Sequence, residues 1–342
     1  MKNEKKQKHR SHAIGISSMI LVLCVVVIIA VLGVLAGKLL LEHRQEVAEA
    51  KAQEEQVTQS STAQTVTYQG QTYEYNRELT NILFMGVDKK EEVTLQDTPG
   101  TAGQADCIMI LSLDEKTQTG KILQISRDTM TDVDIYDVNG NFYTSVEAQI
   151  ATQYAYGNGE KSSCWAMEKT VSELLYELPI DAYISLNIES ISILNDAVGG
   201  VTLTIPEDYT EVDPAFVQGA VVTMTGEQAE KYVRYRDTNV TGSNNGRMQR
   251  QVQYITALVQ ALKSTAGAEG SYYERFSSFL KPYMVTDMNA QQIDSFATYE
   301  FNSEETQYLP GEVRQGAEHD EFYVDEENLY DLLLKTFYKL KN

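Results

Sequence analysis

The sequence predicts an α/β domain in which helices flank both faces of a mixed central β-sheet, preceded by one N-terminal transmembrane helix. Three observations support this prediction. An uncharged run of 25 residues lies near the N-terminus, short apolar runs typical of buried strands follow, and stretches with helical periodicity alternate with those runs. Because predicted strands and helices interleave, we expect both faces of the sheet to be covered.

The N-terminal part predicts a membrane anchor. Residues 13–37 carry no charge, and a helix of that length, at about 1.5 Å per residue, exceeds the roughly 30 Å of a hydrocarbon core. Residues 1–12 are basic, which predicts a cytoplasmic N-terminus and an exported remainder. A cleaved signal peptide is the alternative, although its apolar region would span about 7–15 residues. Residues 38–75 hold few large apolar side chains and predict a stalk, so residues 76–342 form the expected extracytoplasmic domain.

Composition excludes several kinds of chemistry. The net charge of −21 argues against nucleic-acid binding, which depends on basic side chains that neutralise phosphates. Two of the four histidines precede the predicted span, so catalysis by a serine or cysteine with a histidine base is poorly supported, as is a histidine-based zinc site. The two exported cysteines, Cys107 and Cys164, either pair or stay free; buried free thiols are favoured because each lies in an apolar run.

Within the exported domain, five short apolar runs predict strands, at residues 81–88, 106–114, 121–126, 182–188 and 200–206. A polar, glycine-ended turn joins the second and third runs and predicts an antiparallel hairpin. Helices are predicted over 162–178, over 225–233, where Thr225 and Gln228 suit a capping box, and from residue 246 onward.

The arginines are unevenly distributed along the chain. Arg234 and Arg236 would share one face of an extended segment, while Arg247 and Arg250 would share a helical face with Gln251. That face lies at a helix N-terminus, which already favours an anion. A surface ion pair is the simpler explanation for any one arginine. Guanidinium clusters are the usual device for binding phosphate, so a phosphate or pyrophosphate site is predicted at five of the ten arginines: Arg127, Arg234, Arg236, Arg247 and Arg250.

Two aspartates adjoin the predicted hairpin. Asp106 opens its first strand and Asp128 follows its second. In an antiparallel pair, the start of one strand and the end of the other meet at one edge. Two carboxylates there would suit a divalent cation such as Mg²⁺, which also binds phosphate oxygens. In the alternative, Asp128 only caps a turn through Thr129.

Taken in order, these segments resemble the LytR-CpsA-Psr family of bacterial cell-envelope proteins. The resemblance covers residues 81 to 262 and rests on NILFMGVD, the aspartate of GQADCIMI, ISRDT, DAVGGVTLTIP, MTGEQAEKYVRYRD and GRMQRQ. It implies a phosphotransferase at the outer surface of the cell membrane in a Gram-positive-type envelope. Such an enzyme moves a glycopolymer, of teichoic acid or capsular polysaccharide type, from a polyprenyl-pyrophosphate carrier to peptidoglycan through a phosphodiester bond.

The resemblance also implies residue roles. Asp106 and Asp128 would hold Mg²⁺, or Mn²⁺ in its place, and Arg127 and Asp128 would act in catalysis. The pyrophosphate would be bound by Arg127, Arg234, Arg236, Arg247, Arg250 and Gln251.

Three positions depart from the family pattern. Gln104 stands near a position where the family often has arginine, Ser126 replaces a common proline, and Asn244 lies where an acidic residue is frequent. An alternative function is therefore a catalytically weakened relative that binds the same carrier as a scaffold or sensor in envelope assembly.

Overall fold

The computed structural model describes residues 65–137, 139–237, 239–265 and 271–341. The predicted cytoplasmic tail, the predicted transmembrane helix at 13–37 and most of the predicted stalk lie outside these ranges. None of the helices within the described ranges has the length and apolar character that a membrane span requires.

The described chain interleaves strands and helices. The strands are β1 Thr65–Tyr68, β2 Gln71–Tyr75, β3 Leu79–Val87, β4 Ala105–Asp114, β5 Thr119–Ile125, β6 Met130–Tyr136, β7 Phe142–Gln149, β8 Ala182–Asn187, β9 Thr202–Thr204, β10 Val221–Thr223, β11 Met284–Thr286, β12 Glu300–Phe301, β13 Gln307–Tyr308, β14 Gly311–Gln315, β15 Asp320–Val324 and β16 Tyr338–Leu340. The α-helices are α1 Lys161–Leu174, α2 Glu189–Ala197, α3 Gly226–Arg234, α4 Asn244–Thr265, α5 Tyr272–Leu280, α6 Ala290–Ser295 and α7 Glu326–Phe337, and a 3₁₀ helix spans Ile150–Tyr156.

The central sheet is mixed, as predicted. Its strand order is β11-β8-β3-β4-β5-β12, and β13 also pairs with β5. Strands β3 and β8 are parallel, whereas β3 and β4 are antiparallel. The predicted hairpin is confirmed, because β4 and β5 pair antiparallel with Ile108 opposite Ile125.

Both faces of the sheet are buried, which confirms the predicted layer arrangement. Side chains alternate along each strand, so Leu83 and Met85 of β3 pack in one apolar cluster while Ile82 packs in another. Helices α1 and α7 cover the first face, and α4 covers the second through Val252. A third apolar cluster joins α2, α3, α4 and the β9–β10 pair.

Local features agree with the sequence in most places. The capping box of α3 is present, with Thr225 and Gln228 exchanging backbone and side-chain hydrogen bonds. Helix α1 ends at Leu174, four residues before its predicted end, and Tyr176 and Glu177 then take positive φ values. Cys107 and Cys164 are both buried and free, as expected.

The last part of the predicted stalk contains strands. Strands β1 and β2 form an antiparallel pair, and β2 also pairs with β16 near the C-terminus. Aromatic contacts support this small sheet, with ring centroids 5.0 Å apart for Tyr68 and Tyr330 and 5.7 Å apart for Tyr75 and Tyr338. No apolar run marks these strands, because they bury ring faces and not aliphatic side chains.

We expect the partly buried Glu168 on α1 to make stability depend on pH. Burial, together with the nearby carboxylates of Asp287 and Asp181, raises the pKa of this carboxyl from 4.5 to about 7. At pH values between these two pKa values, Glu168 keeps its proton in the folded state and loses it in the unfolded state. The contribution of Glu168 to the free energy of unfolding therefore falls as pH rises through this window, by up to about 1.4 kcal/mol per pH unit.

Glu168→Gln should consequently be more stable than the parent chain by about 2 kcal/mol at pH 8 and nearly equal to it at pH 5. Urea unfolding at the two pH values measures the difference. Glu173→Gln, at a half-exposed site on the same helix, is the control for the loss of a carboxylate from this helix. An equal effect of Glu168→Gln at both pH values would contradict the argument.

Candidate active site

The register of the β4–β5 hairpin assembles the first charges of the site. Because Ile108 lies opposite Ile125, continuing the register sets Asp106 opposite Arg127. The Asp106 Oδ1 atom accepts a hydrogen bond of 2.6 Å from Arg127 Nη1, and Gln104 Oε1 accepts a hydrogen bond from Arg127 Nη2. The predicted meeting of the two strand ends is therefore present, with the arginine directly across from the first aspartate.

Asp128 lies one residue further along and is buried, with 3% of its surface exposed. Its Oδ1 atom accepts a hydrogen bond of 3.0 Å from Gln149 Nε2 and lies 3.6 Å from Arg127 Nε and 3.9 Å from Arg236 Nη1. Burial raises the pKa of Asp128, and the guanidinium groups of Arg127, Arg236 and Arg247 oppose that increase. The carboxylate is thus desolvated and surrounded by positive charge.

Arg236 follows the C-terminal end of α3 and lies between two carboxylates. Its Nη2 atom donates a hydrogen bond of 2.9 Å to Asp320 Oδ2, its Nη1 atom faces Asp128, and its Nε atom donates to Ser243 Oγ at 3.2 Å. Asp320 belongs to β15, close to the C-terminus.

Arg247 lies in the first turn of α4 and is also buried. Asn244 Oδ1 accepts two hydrogen bonds from it, and Asp106 Oδ2 accepts a third at 3.3 Å from Arg247 Nη1. The Asn244 amide in turn donates to Ser126 Oγ at 3.1 Å. Two positions that depart from the family pattern, Ser126 and Asn244, are therefore bonded to each other beside the site.

Five of the residues predicted from the sequence share one charged network: Asp106, Arg127, Asp128, Arg236 and Arg247. Asp320 joins the network through Arg236. The three guanidinium groups and three carboxylates carry equal and opposite formal charge. In a site of low dielectric constant, such pairs are costly unless they also form hydrogen bonds, as most do here.

Arg250 contributes to structure at the junction of α3 and α4. Its guanidinium donates to the backbone carbonyls of Tyr232 and Tyr235, at the C-terminal end of α3. It also stacks on the ring of Tyr209, with 4.7 Å between the guanidinium carbon and the ring centroid. The positive charge of the Arg250 guanidinium is favourable at this helix C-terminus, because the last carbonyls of a helix carry partial negative charge. These contacts engage Arg250 away from the carboxylates of the network.

Arg234 lies outside the charged network. Its side chain is 50% exposed, and Glu230, which also pairs with Lys90, accepts a 2.7 Å bond from it. It does, however, line an adjacent apolar cavity.

The cavity has a volume of about 230 Å³ and shares Asp106 and Arg247 with the charged network. One wall is a stripe of α4 that starts at Arg247 and Gln251, and the opposite walls come from β3, β8, α2 and α5. The stripe continues through Ile255, Leu258, Val259 and Leu262. Helix α1 contributes no lining residue and packs instead in the core.

Two buried polar atoms of the predicted site residues lack a hydrogen-bond partner within the described ranges. They are Arg127 Nε and Gln251 Oε1. The Gln251 amide makes only one long bond, of 3.5 Å to the Val233 carbonyl. Buried polar groups are normally satisfied. Arg127 Nε lies 3.6 Å from Asp128 Oδ1 in the charged network, whereas Gln251 lines the cavity, so each feature holds one buried polar atom available to a ligand.

Asp106 and Asp128 are the predicted ligands of a divalent cation. Within the described part of the chain, no group of three or more acidic, histidine or cysteine side chains is placed to hold a metal ion. Asp106 and Asp128 provide two carboxylates that Arg127 bridges. Two carboxylates suit Mg²⁺ only when substrate phosphates and water complete its shell.

Two residues of this site were not among the site residues predicted from the sequence. Asp320 binds Arg236, and Gln149 binds both Asp128 and the Asp320 carbonyl. Both contacts join segments far apart in sequence, and neither residue lies in a recognisable local pattern. Strand β7 pairs with β6 and sets Gln149 opposite Met130, two residues after Asp128. Recognising that pairing from the sequence would have predicted that Gln149 lies near Asp128.

Together the fold and the site define an α/β domain that carries an arginine–aspartate network beside an apolar cavity, an arrangement suited to an amphipathic anion. The chain belongs to the LytR_cpsA_psr family, whose sequence profile matches residues 39–333. The family prediction is confirmed, as is the prediction of an enzyme of the transferase class.

Relatives and a solved structure agree with this assignment. The protein named Polyisoprenyl-teichoic acid--peptidoglycan teichoic acid transferase TagU from Bacillus mycoides (strain KBAB4) is 28% identical over 245 residues, 71% of this chain and 72% of that protein. The TagU protein of Halalkalibacterium halodurans is 29% identical over 180 residues, 53% of this chain but only 52% of that protein. The crystal structure of B. subtilis TagV has a TM-score of 0.56 at 22% identity, covering 76% of this chain and 96% of that one, and supports the fold alone.

Arg250 and Arg234 should differ sharply in their effect on stability. Arg250→Ala removes hydrogen bonds to two backbone carbonyls and a stacked cation, and we expect it to lower the free energy of unfolding by about 2–4 kcal/mol. Arg234→Ala, at an exposed site, should cost less than about 0.5 kcal/mol. Urea unfolding of both variants measures this contrast. Equal losses would show that Arg250 does not have the structural role described.

Proposed function

We propose that the protein is a membrane-anchored phosphotransferase of the cell envelope. It would transfer a glycopolymer of teichoic acid or capsular polysaccharide type from a polyprenyl-pyrophosphate carrier to peptidoglycan. The anchor at residues 13–37 would hold the domain at the outer face of the membrane, where a lipid-linked donor is available. Relatives named as polyisoprenyl-teichoic acid transferases support this substrate class.

The observation that carries the proposal is the contact between the charged network and the apolar cavity. A polyprenyl-pyrophosphate has a charged diphosphate joined directly to an apolar chain. Arg247 and Asp106 belong to both features, so one ligand would reach the arginines with its diphosphate and the cavity with its first isoprenoid units. The Nε atom of Arg127, which lies 3.6 Å from Asp128 Oδ1 and has no hydrogen-bond partner in the described part of the chain, is a donor available to a phosphate oxygen.

Charge balance supports a divalent cation at Asp106 and Asp128. The three arginines of the network are matched by three carboxylates, so a diphosphate would bring uncompensated negative charge into a buried site. Mg²⁺, or Mn²⁺, would supply the missing positive charge and stabilise charge on the transferring phosphoryl group. The two carboxylates fit this role as partial ligands.

The residues of the chain would act mainly by position and charge, as phosphoryl transfer requires. Arg127, Arg236 and Arg247 would bind the diphosphate oxygens and orient the bond between the two phosphates. An acceptor hydroxyl of peptidoglycan would form a new phosphorus–oxygen bond while that bond breaks, leaving polyprenyl monophosphate. The buried network excludes water from competing with the acceptor.

Transfer is tested with the full-length protein in detergent, a lipid-linked glycopolymer diphosphate, peptidoglycan oligomers and Mg²⁺. We expect polymer to appear on the glycan, and Asp128→Asn to lower the rate at least about a hundredfold, because a charge next to the reacting group is lost. Asp132→Asn, at an exposed aspartate four residues away, is the matched control. EDTA should stop the reaction.

Other outcomes separate the alternatives. Tight donor binding without product would favour the scaffold or sensor, a function that the departures at Gln104, Ser126 and Asn244 suggest. Release of free phosphate would indicate a pyrophosphatase. Absence of donor binding would contradict both the transferase and the scaffold.

The cavity generates a separate prediction. Leu258→Trp places a large ring into the cavity wall on α4 and should weaken binding of a polyprenyl diphosphate about tenfold or more, because apolar contacts are displaced. Binding of inorganic pyrophosphate should be unchanged. Gln260→Trp, at an exposed position on the same helix, serves as the control in calorimetric titrations. Equal weakening of both ligands by Leu258→Trp would argue against the cavity as the chain site.

A further inference from the structure

Asp320 is a largely buried aspartate that reaches the site from the C-terminal hairpin. It opens β15 and is 9% exposed. The hairpin of β14 and β15 rests on the residues that follow β5, since the Phe322 N–H donates a hydrogen bond of 2.8 Å to the Asp128 carbonyl. Asp320 is thus fixed against the segment that carries Asp128.

A single amide links Asp320 to Asp128. Gln149 Nε2 donates to the Asp320 carbonyl at 2.8 Å and to Asp128 Oδ1 at 3.0 Å. Gln149 itself lies at the end of β7, paired with β6. The backbone of Asp320 and the side chain of Asp128 are therefore bridged by one side chain.

The Asp320 carboxylate binds the Arg236 guanidinium through Nη2, the nitrogen that does not face Asp128. Its Oδ2 atom accepts a hydrogen bond of 2.9 Å from Arg236 Nη2 and one of 3.0 Å from the Gly242 N–H. Arg236 Nη1 stays 3.9 Å from Asp128 Oδ1. With Asp320 absent, attraction in a desolvated site would draw the guanidinium onto Asp128 and cover the carboxylate proposed to serve the cation.

We propose that Asp320 is a positioning residue that holds the Arg236 guanidinium beside Asp128 but not against it, so that the arginine is ready to bind the donor diphosphate. This inference rests on the proposed function for its ligand. The inference also has a structural part, which is that Asp320 restrains Arg236 and residues 239–243. This part does not depend on any ligand.

A double-mutant cycle tests the binding half. Calorimetry with the full-length protein in detergent and geranylgeranyl diphosphate as probe compares Asp320→Ala, Arg236→Ala and the double variant. Asp320→Ala should weaken binding about tenfold, the scale of a lost charge-assisted hydrogen bond. The double variant should bind no more weakly than Arg236→Ala, because Asp320 acts through Arg236. Additive losses, or an unchanged affinity in Asp320→Ala, would overturn the proposal.

Two further variants distinguish positioning from general damage. Asp320→Asn keeps an oxygen that can accept from Arg236 and from Gly242, and should recover most of the affinity. Glu318→Ala, at an exposed site two residues earlier, should bind as the parent chain does. An Asp320→Asn variant as weak as Asp320→Ala, or an equal loss in Glu318→Ala, would count against the positioning role.

A measurement without ligand separates this inference from the proposed function. In Asp320→Ala, phenylglyoxal should modify Arg236 at a different rate, and amide hydrogen exchange at residues 239–243 should accelerate, since the Gly242 N–H loses its acceptor. If the parent chain fails to bind the probe while both changes occur, the proposed function is wrong and the restraint of Arg236 stands. If neither change occurs, the inference is wrong whatever the probe does.

Discussion

Burial of the Asp128 carboxylate is the constraint around which the site is organised. A desolvated carboxylate is costly unless hydrogen bonds and opposite charges compensate it. Here the compensation comes from Arg127 beside it, Gln149 at the end of β7 and Arg236 after α3. These groups belong to segments that are distant in sequence, so the fold must bring the segments together for the carboxylate to stay buried. The electrostatics of one residue thus explains why so many elements meet at this edge of the sheet.

The arginines near α3 and α4 divide into two roles that their spacing does not reveal. Arg250 binds the carbonyls at the C-terminal end of α3 and stacks on Tyr209, which fixes the short segment that carries Arg236. Arg247, three residues earlier on the same helix, faces Asp106 and Asn244 instead. The repulsion between Arg247 and the positive end of the α4 dipole is therefore offset within the protein by the Asp106 carboxylate. Arg250 stabilises the junction of α3 and α4, and Arg247 lies at the site.

The sequence predicted the parts of this structure that depend on local pattern. The β4–β5 hairpin, the capping box of α3 and the meeting of Asp106 with the end of β5 follow from alternation, turn residues and antiparallel geometry. Asp320 could not be predicted in this way, because its partner Arg236 lies 84 residues earlier and only the docking of β15 joins them. Strands β1 and β2 were not predicted for a related reason, because β2 pairs with β16 from the other end of the chain.

Helix α4 contributes both to the charged network and to the apolar cavity, and this has a consequence for ligand selection. Arg247 and Leu262 lie 15 residues apart on one helix, a separation of about 22 Å at the usual rise per residue. The arginine that faces the charged network and the apolar side chains that line the cavity therefore lie on one rigid helix, at fixed distances from each other. A free phosphate would meet only the first part of this surface, and a neutral lipid only the second. Under the proposed function, an amphipathic diphosphate would gain from both without any rearrangement between them, and discrimination would come from the covalent connection of head and chain in the ligand.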